Sequence, residues 1–235
     1  ISNGICPKFG DIDAYEMSAG AFDEALRQII SVGGKLPDVN DNSNRFWTVN
    51  DNFCVPDSAF DSENNPDGKQ KLAKLVQMNE ALFDMATFYN IPMTSGKDSM
   101  KNDFKAGKVK ISVPPTILYS MVAKIDDVRR TITSNFKAKG DLIYLVGETY
   151  DELGGSEFYK LFDELGANVP KIRRENAKRI YHKMMKANDA EIIESSHDIS
   201  DGGLAVTVAE KAFSCQFGVE IILDNCKDIS LNAIL

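Results

Sequence analysis

Apolar positions recur at helical spacing in several stretches of the chain. From Met17 to Val32, Ala21, Leu26, Ile29, Ile30 and Val32 mark one face of a helix that Gly33-Gly34 ends. Leu72 to Tyr89 carries the clearest stripe, Leu72, Leu75, Val76, Leu82, Phe83, Ala86 and Tyr89, and that stripe reads as core. Glu175 to Ala187 is amphipathic, with Ala177, Ile180, Tyr181, Met184 and Met185 on one side. A further helix runs to Phe213, with Leu204, Val208 and Ala212 facing a core. Shorter helices are expected over Asp126 to Thr133 and Glu157 to Leu165. Period-two or continuous β-rich runs predict strands at Arg45 to Val49 leading to Asp51, Lys108 to Val113, Ile117 to Ile125, Asp141 to Val146, Glu191 to Ser196 and Gly218 to Leu223. Residues 3–13 and 57–71 read as loops, and Gly107 as part of a hairpin turn. A basic, Gly-containing stretch at 135–140 divides the chain into domains 1–134 and 135–235.

Two stretches break this pattern with chemistry. In Ile91 to Asp103, IPMTSGKDSMKND, a short apolar run enters a turn expected at Gly96. Lys97, Asp98 and Ser99 then place a cation, an acid and a hydroxyl side by side, an inventory suited to a metal-bridged anionic ligand. The other local reading is a plain polar turn. It is no Walker A loop, because Ile91 and Asp98 stand where that loop needs Gly and Ser or Thr. The second stretch, Ser196 to Leu204, follows a predicted strand and opens a helix with Asp198, Ser200 and two glycines, an arrangement able to hold phosphate through Mg2+. Its His197 has two readings, a catalytic group or a structural hydrogen-bond partner. Leu153-Gly154-Gly155-Ser156 likewise reads as a pocket-facing helix start or as an ordinary Ser-capped one. Glu24 and Gln28 lie one turn apart on a helix face, as a solvated pair or as ligands.

Composition narrows the class. With 235 residues, 43% hydrophobic and 26% charged, the chain is an ordinary globular polypeptide of one large or two small domains. A net charge of −8 offers no basic surplus for a nucleic-acid backbone, so no nucleic-acid partner is expected. Cys6, Cys54, Cys215 and Cys226 form neither CxxC nor a Cys/His cluster, and are read as reduced, mostly buried thiols. No apolar run approaches ~18 residues, so no membrane span is expected. With no signal peptide read at the N-terminus, the location is expected to be cytoplasmic. The absence of an initiator Met suggests an excised piece of a longer polypeptide, a processed mature chain being the other reading.

SGKDSMKND (95–103), ISVPPT (111–116), DLIYLVG (141–147), ELGGSEFY (152–159) and HDISDGGLAVTVAEKAF (197–213) occur in this order and at similar spacing in phosphoribosylformylglycinamidine synthases. The segments GDIDAYEMSAGAFDEALRQI and VNDNFC fit too, so the resemblance covers nearly the whole chain. It implies an α+β / α/β fold like aminoimidazole ribonucleotide synthetase. An N-terminal barrel-forming domain would be joined to a C-terminal α/β domain, both partial, from the second of two tandem copies. The implied reaction is an ATP-dependent ligation in which formylglycinamide ribonucleotide is phosphorylated on its amide oxygen and ammonia displaces phosphate. The implied cofactors are ATP or ADP and Mg2+. The implied partners are the first synthetase-like copy, a glutaminase subunit or domain, and a second copy of this chain in a homodimer.

By the same resemblance, Asp51, Gly96, Lys97 and Ser200 contact nucleotide and Ser99 contacts substrate. Glu24, Gln28 and Asp198 contact metal. Lys97 stands where small-form members have a Mg2+-contacting Asn; an ammonium cannot ligate Mg2+, so Lys97 is expected to meet phosphate directly. Gln28 replaces an Asn and keeps an amide oxygen. The family's catalytic His belongs to the first copy, so no catalytic residue is assigned here. The two copies create two nucleotide sites, one catalytic and one structural, and the sequence leaves both open. Aminoimidazole ribonucleotide synthetase and selenophosphate synthetase are more distant readings, disfavoured by SGKDSM and by the length pattern.

Overall fold

The structure, a computed structural model, describes residues 1–38 and 46–223. The chain packs as two compact units, residues 1–26 with 37–123, and residues 27–36 with 124–235. The expected boundary at 134/135 falls inside the second of these.

The first unit is built on β2 (Trp47–Cys54). It pairs antiparallel with β6 (Thr116–Ala123) along its whole length and parallel with β3 (Met93–Ser99) on its other side. β1 (Ser2–Gly4) joins the far edge of β6, giving the order β1-β6-β2-β3. Parallel neighbours need a long crossover, and the 22-residue α2 (Gly68–Tyr89) lies within it. β4 (Asp103–Ala106) and β5 (Val109–Ser112) form a separate hairpin across Gly107, as the sequence predicts.

Alternate residues of β2 face opposite ways, so Trp47, Val49, Asp51 and Phe53 share one face. Ile117, Tyr119 and Met121 of β6 lie beside them. They are buried, as are Met17, Phe22 and Leu26 of α1 (Ala14–Ser31) and Met78, Leu82, Met85 and Tyr89 of α2. Phe22 meets Tyr119 edge-on at 5.3 Å between ring centroids and stacks near Tyr89. Ser18 joins three elements: its hydroxyl donates to the Met78 carbonyl (2.8 Å) and lies 2.7 Å from the Tyr119 hydroxyl. The two hydroxyls taken into this core, Ser18 and Tyr119, are therefore partnered.

The expectations for α2 and for residues 3–13 fail in this unit. The α2 stripe splits: Leu82 and Tyr89 are core, but Leu72 and Val76 are half-exposed and Phe83 is 68% exposed. Helix α2 has apolar residues on two faces, and the sheet can cover only one; the other lines an open groove with Tyr15, Asn79 and Asp84. Residues 3–13 are not simply a loop, because β1 uses Asn3 and Gly4, and Pro7–Asp11 forms a 3-10 turn.

The second unit is helical where it is regular. It holds α3 (Glu157–Lys160), α4 (Arg174–Asp189) and α5 (Gly203–Phe213), with a 3-10 turn at Val128–Arg130 in place of the predicted helix there. Asp127 caps that turn by accepting from the Arg129 N–H. None of the strands predicted at 141–146, 191–196 and 218–223 is formed. Leu142 (77%) and Tyr144 (76%) are exposed. A buried strand depends on neighbours for its backbone hydrogen bonds, and no two of these runs are laddered together. Arg45 and Cys226 lie outside the described residues; Cys6, Cys54 and Cys215 are of intermediate burial and form no disulfide among the described residues.

The division of α2 is testable by urea denaturation. Leu82→Ala is expected to cost about 2–5 kcal/mol. Phe83→Ala is expected to change stability by no more than about 0.5 kcal/mol.

Candidate functional site

The sheet places one group of predicted residues on β2 and β3. Val49 pairs with Met93, but Asn50 pairs with Ser95, so Thr94 is an extra residue in β3. The bulge is held by side chains: Thr48 Oγ1 donates to Thr94 Oγ1, which donates to Asn50 Oδ1, both at 2.8 Å. Its effect is a change of phase. Without it Ser95 would lie beside Asp51; with it, Gly96 does. Thus 91–103 is not an entry into a turn at Gly96, as the sequence suggested, but a strand running through it.

Gly96 is required by proximity. A Cβ there would stand 1.9 Å from Asp51 Oδ1. The Asp51 carboxylate lies against the bare Cα of Gly96, and its Oδ1 is buried without a hydrogen-bond partner among the described residues. Burial pushes the Asp51 carboxyl above its ordinary range and the nearby Asp98 charge adds to this, while its own backbone N–H opposes them. Asp98 pairs with Phe53 and so faces the same way as Gly96 and Asp51.

Lys97 and Ser99 face the other way, beside Asn52 and Cys54. There the Lys97 ammonium donates to Ser99 Oγ at 2.7 Å. The structure therefore separates the sequence-predicted group into Asp51 with Gly96 on one face and Lys97 with Ser99 on the other.

Glu24 sits on α1, where its Oε2 accepts the Ile5 N–H at 2.9 Å. Gln28 follows one turn later on the same helix. Carboxylate and amide oxygens are donors of the hard type that Mg2+ takes. Among the described residues, no group of three or more His, Cys, Asp or Glu side chains converges as a metal site.

In the second unit, Asp198 and Ser200 are brought together. Ser200 Oγ donates to Asp198 Oδ2 at 2.5 Å. The Asp198 backbone carbonyl meets His197 Nδ1 (2.6 Å), and His197 Nε2 lies 3.3 Å from Glu210 Oε2. His197 thus braces the loop against α5, in keeping with the hydrogen-bond reading. Gly202, at φ +80°, turns the chain into α5 in a conformation that L side chains rarely adopt. The Arg27 guanidinium donates to the Ile199 carbonyl and holds the loop from the other side.

The ELGGSEFY segment offers no open helix end. Helix α3 is a single turn capped by Ser156 Oγ, which accepts from the Tyr159 N–H. The N–H groups of Gly154 and Gly155 are spent on the Asn168 and Leu165 carbonyls, each at 2.7 Å. Its Glu152 instead takes a two-pronged contact from Arg173 (2.7 and 3.1 Å) plus the Lys171 N–H. Burial would raise the Glu152 carboxyl, but these donors outweigh it and hold it below its ordinary value.

Sequence reasoning assigned no role to Arg27 or Arg173. No local signal could have found them, since Arg27 meets a carbonyl 172 positions away. Asp98 was visible as an acid, and period-two alternation from Gly96 would have placed it beside Asp51.

Residues 138–233 match the family model described as AIR synthase related protein, C-terminal domain. Across 97% of its length the chain is 30% identical to the phosphoribosylformylglycinamidine synthase subunit PurL of Methanothrix thermoacetophila, covering 28% of that protein. Across 89% it is 32% identical to the PurL of Alkaliphilus metalliredigens, covering 26% of it. Among solved structures, phosphoribosylformylglycinamidine synthase II from Thermotoga maritima superposes with a TM-score of 0.52 at 15% identity, over 88% of this chain and 27% of that one. Thermotoga maritima PurL complexed with FGAR gives 0.56 at 11% identity, over 89% and 30%. The fold is that of the AIR synthase-related proteins. Within that class, the chain resembles the PurL subunit of phosphoribosylformylglycinamidine synthase along nearly its whole length, while spanning a little over a quarter of the curated relatives it matches.

Gly96→Ala drives a methyl into the Asp51 carboxylate, and overpacking of this kind costs about 1–3 kcal/mol. The cost is expected as a lowered urea midpoint, with Gly107→Ala failing to match it through crowding, since nothing lies within 4 Å of that position. The Glu152 contact carries a pH signature. A carboxyl lowered by folding adds stability above its unfolded value near 4.5, and that stability disappears as pH falls through the folded value. Glu152→Gln should therefore lower the Tm at pH 7 and converge with the parent below pH 4.5.

Proposed function

We propose that this chain is part of an ATP-dependent ligase of de novo purine biosynthesis. The whole enzyme converts formylglycinamide ribonucleotide and glutamine-derived ammonia to formylglycinamidine ribonucleotide. The observation that carries this reading is the Asp51–Gly96 contact. A buried carboxylate oxygen without a protein donor lies where the resemblance expects nucleotide. Similarity to PurL subunits along 97% of the chain supports it.

In this reading ATP transfers its terminal phosphoryl group to the formyl-amide oxygen. Ammonia then adds to the activated carbon, phosphate leaves, and an amidine remains. The protein's part is to position groups and offset charge. Asp51 and Gly96 would contact the nucleotide, Lys97 would offset phosphate charge, and Ser99 would offer its hydroxyl to substrate. Ser200 meets nucleotide from the loop that Asp198 and His197 brace. Glu24, Gln28 and Asp198 are the oxygen donors that would hold Mg2+, which when bound offsets phosphate charge. No catalytic residue is assigned to this chain. The other partners are the first synthetase-like copy, a glutaminase subunit or domain and a second copy of the chain; the location is cytoplasmic.

A second reading comes from the same loop. Because the Ser200 hydroxyl is bonded to Asp198, the pair is also fit to hold ADP as a structural ligand. Thermal unfolding with and without Mg2+-ADP tests binding. Ligand at 100 times its Kd is expected to add about 2.7 kcal/mol. No shift at millimolar nucleotide would reject a nucleotide site in this chain. Asp198→Asn in the full-length enzyme separates the readings: lost turnover with an unchanged fold supports the ligase role, and lost stability with intact turnover supports the structural one.

A further inference from the structure

We propose that Asp51 and Asp98 form a divalent-cation site on one face of the β2–β3 pair, floored by Gly96 and completed by the phosphate oxygens of a bound nucleotide. The inference rests on the nucleotide reading only for that completion.

Asp51 is 9% exposed, and its Oδ1 has no hydrogen-bond partner among the described residues. Leaving a buried carboxylate oxygen unmatched is costly, so a site that keeps one is built for something from outside. Asp98 supplies a second carboxylate. The Thr94 bulge puts it on the same face as Asp51, two residues beyond Gly96. It is exposed, so the face is open there. Ionised carboxylates only accept, which means that the missing partner is a donor or a cation. The nearest basic residue along β3, Lys97, is turned to the opposite face and bonded to Ser99.

Hard oxygen donors select Mg2+, Mn2+ or Ca2+ over softer metals. Mg2+ in particular is held by one or two carboxylates plus substrate phosphates rather than by an all-protein cage. Two carboxylates on the face of Gly96, which adds no side chain of its own, match that mode. This assigns the cation to Asp51 and Asp98, with Lys97 on the opposite face.

The test uses Mn2+ as the probe, followed by water-proton relaxation, first alone and then with ADP. In the unmodified chain, ADP should tighten Mn2+ binding. Asp98→Asn should weaken it at least about tenfold, the scale seen even for groups that only support a ligand. Asp98→Ala, which removes the carboxylate without adding a donor, should do the same, while Glu24→Gln keeps this binding event. Both Asp98 variants change an exposed side chain, and circular dichroism melting checks that the fold survives. Mn2+ binding that is absent with ADP present, or unaltered in both Asp98 variants, overturns the site. If ADP still binds by calorimetry in that case, the nucleotide reading stands and only the cation site falls. If ADP never binds but Mn2+ is lost in the Asp98 variants, the cation site stands and the nucleotide reading falls.

Discussion

The pleat of β2 governs which groups can meet. A strand gives each residue one of two faces, and among the described residues β2 alone has a long partner on both sides. Its odd positions close the core with α1 and α2, and Asp51 is one of them. That position forces the choice at Gly96, because a carboxylate in a packed layer leaves no room for a neighbouring Cβ. The inserted Thr94 makes the choice possible, as it delivers the glycine rather than the serine to that point. A hydroxyl relay through Thr48, Thr94 and Asn50 thus sets the register on which the site depends.

The second unit solves a different problem. Its loop at 196–203 has no sheet to hold it, so it is held by side chains. His197, Thr207 and Arg27 all bond to the carbonyls of Asp198 and Ile199. The Asp198 carboxylate and the Ser200 hydroxyl are left facing each other, oriented by a framework of backbone contacts. The same economy recurs at Glu152, where Arg173 lies over the Tyr150 ring while gripping the carboxylate.

How much of this was legible follows from the range of each signal. Helices α1, α2, α4 and α5 were readable because amphipathic spacing is local. β2, β5 and β6 were readable for the same reason, although β2 runs on through Asp51 to Cys54. The strands expected at 141–146, 191–196 and 218–223 were misread because β-rich composition says nothing about whether a pairing partner is present. Phe83 was placed in the core because periodicity reports an apolar residue without saying which of two faces the sheet will cover. At the site, the Asp198–Ser200 pair is close in sequence and was foreseeable. The meeting of Gly96 with Asp51 was not, since it depends on a single inserted residue whose hydroxyl contacts come from another strand.

The pairing of β1 with β6 has a consequence for the order of events in making the protein. Ser2, Asn3 and Gly4 pair with Met121, Ser120 and Tyr119, so within this unit the earlier segment must wait for a strand more than a hundred residues later. At usual rates of synthesis that delay is on the order of ten seconds. During it α1 carries its buried face, Phe22 and Leu26 included, without the sheet that will cover it. Closure of such distant segments slows folding. The first unit is thus a late-closing body, exposed to wrong associations until β6 is complete.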